Sequence, residues 1–282
     1  MKKFLKANSA LGLWNLLLVG IEMIVMIVLM LLFIKISDAF KIKFYDAFSW
    51  LPEGQNLNDI EFSLAMSNSF MKLSNEIVIP TILITGLVII GIFAYISIRK
   101  GTKPIKKVSA NELCNYIVIG TGLNLIITML LEIIPKEVME NYNSAVGTIF
   151  GGNKLLLVLV VGIIGPLYEE VLFRYFEYQT LKKFNVAYAI VMTSIAFGVM
   201  HGNLVQGTYA FILGLIFAIV NYKKDNLLPS IVMHIAINLG SVILLDIPVT
   251  EITGLTIIFR MSILIKLAVW KASLELKKWK NE

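Results

Sequence analysis

Three ionisable side chains fall within six residues in the stretch Gly165-Pro166-Leu167-Tyr168-Glu169-Glu170-Val171-Leu172-Phe173-Arg174, inside an apolar run from Leu155 to Leu181. An ionised group at the centre of a bilayer helix costs about 2.5–3.5 kcal/mol on insertion scales, so all three must face a protein interior. Helical spacing then gives them different tasks. Glu170 and Arg174 are four residues apart on one face and can pair, which offsets part of the desolvation cost. Glu169 is turned about 100° from Glu170 and meets no basic residue three or four positions along its own face. One carboxylate reads as structural, and the other is left for general acid–base chemistry.

The chain has 2 histidines. His234 lies in His234-Ile235-Ala236-Ile237-Asn238, so Asn238 shares its face one turn on, and both can donate a hydrogen bond to one small target such as a carbonyl oxygen. His201 lies in Phe197-Gly198-Val199-Met200-His201-Gly202-Asn203, where the glycines allow close helix approach or a break. The inventory is thus a buried carboxylate, two imidazoles and a carboxamide on separate apolar runs. Those groups suffice to hydrolyse an amide. Glu169, assisted by His201, would hold and deprotonate a water, and His234 with Asn238 would stabilise the oxyanion. Alternatively, Glu169, His201 and His234 would form a zinc (Zn2+) site with water in the fourth position. Residue spacing leaves both routes open.

Glu169-Glu170-x-x-x-Arg174, Phe197-x-x-x-His201 and His234-x-x-x-Asn238, in that order, resemble the three motifs of the CPBP intramembrane proteases, the Abi or type II CAAX prenyl endopeptidase family. The resemblance covers about residues 155–245. It implies an eight-helix membrane protease whose site lies inside the bilayer and opens to the cytosol. It also implies that Glu169 and His201 hold the water while His234 and Asn238 bind the oxyanion. Family members are described both as metalloproteases and as metal-free glutamate enzymes. The implied substrate is a membrane-associated peptide or lipidated protein, either prenylated of CAAX type or resembling a bacteriocin or pheromone. The alternatives are a non-catalytic bacteriocin-immunity membrane protein and a proton-coupled transporter, since buried Glu and His residues also build proton relays.

The elements that must position these groups are membrane spans. A composition of 57% apolar and 16% charged residues, with a mean hydropathy of +0.80, is that of an integral membrane protein. At about 20 residues per span, the candidates are 11–34, 77–98, 113–134, 155–181, 186–201, 205–221, 227–245 and 252–269. The expected fold is therefore all-α and polytopic, with about eight transmembrane helices in a single membrane domain over 1–282. With the N-terminus cytoplasmic, the clusters Lys2/Lys3/Lys6, Arg99 to Lys107, Lys182/Lys183, Lys223/Lys224 and Lys271 to Lys280 all fall inside. Both termini are then expected in the cytoplasm, and the protein in a bacterial plasma membrane. The net charge of +6 reflects that topology, with the lipid bilayer and not nucleic acid as partner.

Cys114 is the single cysteine, which excludes a disulfide framework and is expected to be a packed thiol. Between the first two spans, Leu57, Ile60, Leu64 and Met71 keep helical spacing beside the aromatic group Phe40, Phe44, Tyr45, Phe48 and Trp50. This suggests an interfacial amphipathic element, with an ordinary ordered loop equally consistent. Glu22, Glu132 and Arg260 are expected to pair or to lie near an interface. One tension remains in the geometry. On straight helices His201 would lie about 24 Å from the inner end of its span and His234 only about 12 Å. Pro166 and Gly198 are the candidate irregularities that would let them meet.

Overall fold

The structure, a computed structural model, describes residues 2–51, 58–140, 142–143 and 154–244. Among these the secondary structure is helical throughout: α1 Lys2–Ile36, α2 Asp38–Ala47, α3 Asp59–Lys100, α4 Ala110–Glu132, α5 Lys154–Leu181, α6 Val186–Val199, α7 Leu204–Lys224 and α8 Leu228–Leu244. Five stretches are long and apolar enough to cross a membrane: Leu11–Ile36, Ile77–Lys100, Ala110–Leu131, Lys154–Leu181 and Leu204–Lys224. Val186–Val199 and Leu228–Ile243 are apolar but shorter. The chain is thus an all-α polytopic membrane protein. The last expected span, 252–269, and Arg260 lie outside the described residues.

The helix boundaries follow from local chemistry. Ser109 and Glu112 form a reciprocal capping box at the start of α4, which satisfies two N–H groups left open at a helix N-terminus. Asn185 caps α6 through the Tyr188 N–H. Asn203 caps α7 through the Gln206 N–H at 2.7 Å and donates back to the Gln206 side chain at 3.0 Å. Gly202, at φ +71°, makes the turn between α6 and α7 in a conformation that glycine adopts without strain.

The segment between the first two spans is helical at both ends. In α2, Phe40 and Ala47 pack with Leu29 and Met30 of α1 and Leu73 and Ile77 of α3. Trp50 donates to Ser69 at 2.8 Å and meets Phe62 edge to face. At 42 residues, α3 is about 63 Å long, twice the roughly 30 Å hydrocarbon core, so its first half stands outside the apolar layer. Leu64 is exposed. Leu57 lies outside the described residues.

α5 is the central element. Val171, Leu172, Phe173 and Phe176 of α5 are buried with Leu18 of α1, Ile89 of α3, Phe197 of α6, Ala210 of α7 and Ile231 of α8. α4 and α8 run side by side in parallel. Asn124 donates to the Ile237 carbonyl at 3.0 Å and to Ser241 at 2.7 Å, and Gly120 lies against Met233. Asn124 is therefore a packing group. Cys114 corrects its expectation: it is exposed, on the outward side of α4, not packed.

A methyl group on Gly120 would stand 2.5 Å from the Met233 carbonyl oxygen and 2.8 Å from Ala236 Cβ. Gly120→Ala should therefore cost about 1–3 kcal/mol by overpacking the helix that carries His234. Gly91→Ala, where a methyl meets nothing within 4 Å, should be neutral or slightly stabilising. Thermal or denaturant unfolding in detergent micelles measures both.

Candidate active site

Glu169 and Glu170 sit in an α-helical turn, Gly165–Glu170, held between two π-helical segments of α5, Val160–Ile164 and Val171–Glu177. The sequence supplies a cause for the first. Pro166 has no N–H and cannot bond back to the carbonyl of Gly162, so the ladder loosens just before it. The Gly165 N–H bonds to the carbonyl five residues back, Val160, and Tyr178 does the same to Phe173. Each wider turn re-aims the side chains that follow.

Glu170 and Arg174 are fully buried and paired, with Oε2 and Nε 3.3 Å apart. The guanidinium lies 5.3 Å from the ring centre of Phe197 and 6.0 Å from those of Phe173 and Phe217. Aromatic faces thus replace part of the lost hydration through cation–π attraction. Arg174 Nη1 reaches Thr193 of α6 at 3.5 Å. In α8, Ser230 lies beside Glu170.

His234 lies between the two carboxylates. Its Nδ1 is 3.3 Å from Glu170 Oε1, and its Nε2 is 3.6 Å from Glu169 Oε2. The ring stacks on Phe217 at 5.0 Å and meets Phe197 edge to face at 5.6 Å. Glu169 keeps 22% side-chain exposure whereas Glu170 has none, so the acid without a cation partner is also the one that remains accessible. The expected pairing of Glu170 with Arg174 is present.

Asn238 and His201 have other partners. Asn238 donates one N–H to the carbonyl of Val161, inside the first π segment, at 3.0 Å. His201 follows the end of α6, with its Nδ1 2.7 Å from the Phe197 carbonyl and its ring edge-on to Phe197 at 4.9 Å. Phe197 thus stands between the two imidazoles. The 14 residues of α6 span only about 21 Å, less than the roughly 30 Å apolar layer. The irregularity expected near Pro166 is present as the first π segment, whereas Gly198 lies in regular helix one residue before α6 ends. A methyl on Gly198 would stand 2.7 Å from the Gly207 carbonyl, so α6 and α7 cross in backbone contact there.

The ligand set Glu169, His201 and His234 does not fit a zinc ion as arranged. Among the described residues no three His, Cys, Asp or Glu side chains are placed to hold a metal ion. Glu169 and His234 face each other, while His201 is engaged with Phe197.

Two further acids belong to this neighbourhood. Glu22 of α1 interacts electrostatically with Glu169 and Tyr168, a placement on tertiary structure that α1 alone could not reveal. Glu177 is fully buried and accepts from Asn15 of α1 at 2.9 Å. Its spacing of three from Arg174 was the signal that could have found it.

This geometry is that of three motifs on α5, α6 and α8, and comparison with known proteins covers the same stretch. Residues 151–240 match the family described as Type II CAAX prenyl endopeptidase Rce1-like. A protein of Bacillus subtilis (strain 168) named "Putative membrane peptidase YdiL" is 30% identical over 90 residues, which are 32% of this chain and 37% of that protein. The chain thus matches little more than a third of that relative's length. No solved structure matches it.

Arg174→Gln would leave the Glu170 carboxylate buried without a counter-charge. It should destabilise the fold by about 3–5 kcal/mol, and adding Glu170→Gln should recover part of that loss. Unfolding of the two single variants and the double variant in detergent gives the comparison.

Proposed function

We propose that this protein is an intramembrane endopeptidase that hydrolyses a peptide bond of a membrane-associated or lipidated substrate, with Glu169 and His234 activating the water. The observation that carries this reading is the chain Glu169, His234, Glu170, Arg174, in which each member faces the next at 3.3–3.6 Å. The match of residues 151–240 to Rce1-like proteins supports a membrane protease at the general level.

Each step can be assigned to a named atom. Glu170, held by Arg174, accepts from Nδ1–H of His234, which leaves the lone pair of Nε2 pointing toward Glu169. Two acceptors 3.6 Å apart can both lie roughly 2.8 Å from one water oxygen and take its two hydrogens. The water attacks the scissile carbonyl as one of its protons passes to Nε2 and the other stays hydrogen-bonded to Glu169. Once protonated, His234 donates from Nε2–H, first to the oxyanion and then to the leaving amine. Asn238 spends one N–H on Val161 and retains a second for the oxyanion. His201 orders the wall behind His234 through Phe197. No step in this scheme runs through a metal.

The accessible edge of Glu169 beside Glu22 and Tyr168 is where substrate would enter. The substrate class in this reading is a prenylated CAAX-type protein or a bacteriocin-like or pheromone-like peptide. We place both termini in the cytoplasm of a bacterial plasma membrane, on the distribution of lysines.

The test is cleavage of membrane peptides in proteoliposomes by protein of measured metal content, with and without chelator. Glu169→Ala should lower kcat by at least about 100-fold while inserting normally, and chelation should leave the wild-type rate unchanged. Wild-type cleavage by Glu169→Ala would remove the reading. A rate that tracks bound zinc would move water activation to a metal held by Glu169 and His234.

A further inference from the structure

We propose that Glu177, fixed by Asn15 of α1, is a positioning residue that sets the Arg174 guanidinium and, through Glu170, the imidazole of His234. The inference rests on the reading of His234 given above and extends the site to a helix outside the matched stretch 151–240.

Glu177 lies at the end of the second π segment of α5 with no exposed surface. Its Oε1 accepts from Asn15 Nδ2 at 2.9 Å. The cation beside it is Arg174, three residues back. The acidic groups that act on that guanidinium are Glu170, then Glu177, then Glu169.

The two residues also have complementary buried atoms. Arg174 Nη2 and Glu177 Oε2 are both buried without a hydrogen-bond partner. Arg174 closes its ion pair with Glu170, and Glu177, three residues on, acts on the guanidinium at longer range through a medium that screens little. Arg174 is therefore held by Glu170 at Nε and acted on by Glu177 as well. Removing the Glu177 carboxyl lets the guanidinium shift against Glu170, and Glu170 carries the Nδ1 of His234 at 3.3 Å.

α1 holds this end of the chain by two adjacent contacts. Trp14 stacks on Phe176 with ring centres 4.6 Å apart and planes 21° apart, and the next residue on each helix forms the Asn15–Glu177 bond. The first contact supplies packing and the second supplies orientation, so the two can be separated by mutation.

The experiment uses full-length protein in nanodiscs and reads three quantities: thermal stability, kcat against KM, and the imidazole 15N signals. With 2 histidines in the chain, a His201→Gln spectrum assigns the His234 signals. Glu177→Gln should lower kcat by about 10- to 100-fold, as loss of an outer partner of an active-site group does, with KM within about twofold. The His234 signals should move while those of His201 stay. Trp14→Leu should lower stability without moving the His234 signals. If Glu177→Gln fails to accumulate, Asn15→Ala is read in its place, with the same His234 displacement and a smaller fall in kcat. Unmoved His234 signals, or a fall in kcat that Trp14→Leu reproduces, would overturn the proposal. The spectra do not depend on turnover, so they still decide the positioning role if the protease reading itself fails through an active Glu169→Ala protein.

Discussion

An ion pair with no exposed surface, Glu170 with Arg174, constrains everything around it. Charges in an apolar interior survive only when paired and further satisfied, because the desolvation cost otherwise exceeds the attraction. Three phenylalanine rings surround the guanidinium, Thr193 meets one nitrogen, and a histidine meets the carboxylate on its other oxygen. These contacts come from α5, α6, α7 and α8. The pair is therefore also a constraint on how those helices pack, and the imidazole that would do chemistry is held by a group whose first task is to neutralise a buried arginine.

A regular bundle could not assemble this site. The two π segments of α5 change the facing of the turn that carries both glutamates, and the carbonyl of Val161 within the first of them is met by the side chain of Asn238. α6 ends after 14 residues before the turn at Gly202, and the Gly198–Gly207 crossing packs α7, whose Phe217 stacks on His234, against it. Irregular backbone at membrane depth is tolerated where it is buried in protein, which is where these irregularities lie.

Much of this was legible in the sequence. The seven described hydrophobic segments fall within a few residues of the expected spans, since an apolar run bounded by polar residues marks each of them. The i, i+4 spacing of Glu170 and Arg174 gave their pairing directly, and the isolation of Glu169 on its own face matches its greater exposure. Contacts that depend on how helices meet were not legible. Spacing cannot tell whether His201 or His234 faces Glu169, because those residues lie on three separate helices, and in the structure His234 does so. Nor could the α1 sequence show that Asn15 and Glu22 point at α5, since both sit in a helix apolar on all sides. Cys114 was misjudged because an apolar neighbourhood in a membrane helix describes the lipid face as well as the core.

The central claim is that Glu169 and His234 act on one water as a single unit. The direct test is a double-mutant cycle on kcat/KM in proteoliposomes, comparing Glu169→Gln, His234→Gln and the protein carrying both. Groups that work together lose their effect together, so the double variant should be within about threefold of the slower single variant. Losses that multiply, each substitution costing as much in the presence of the other as alone, would show two independent contributions and contradict the account.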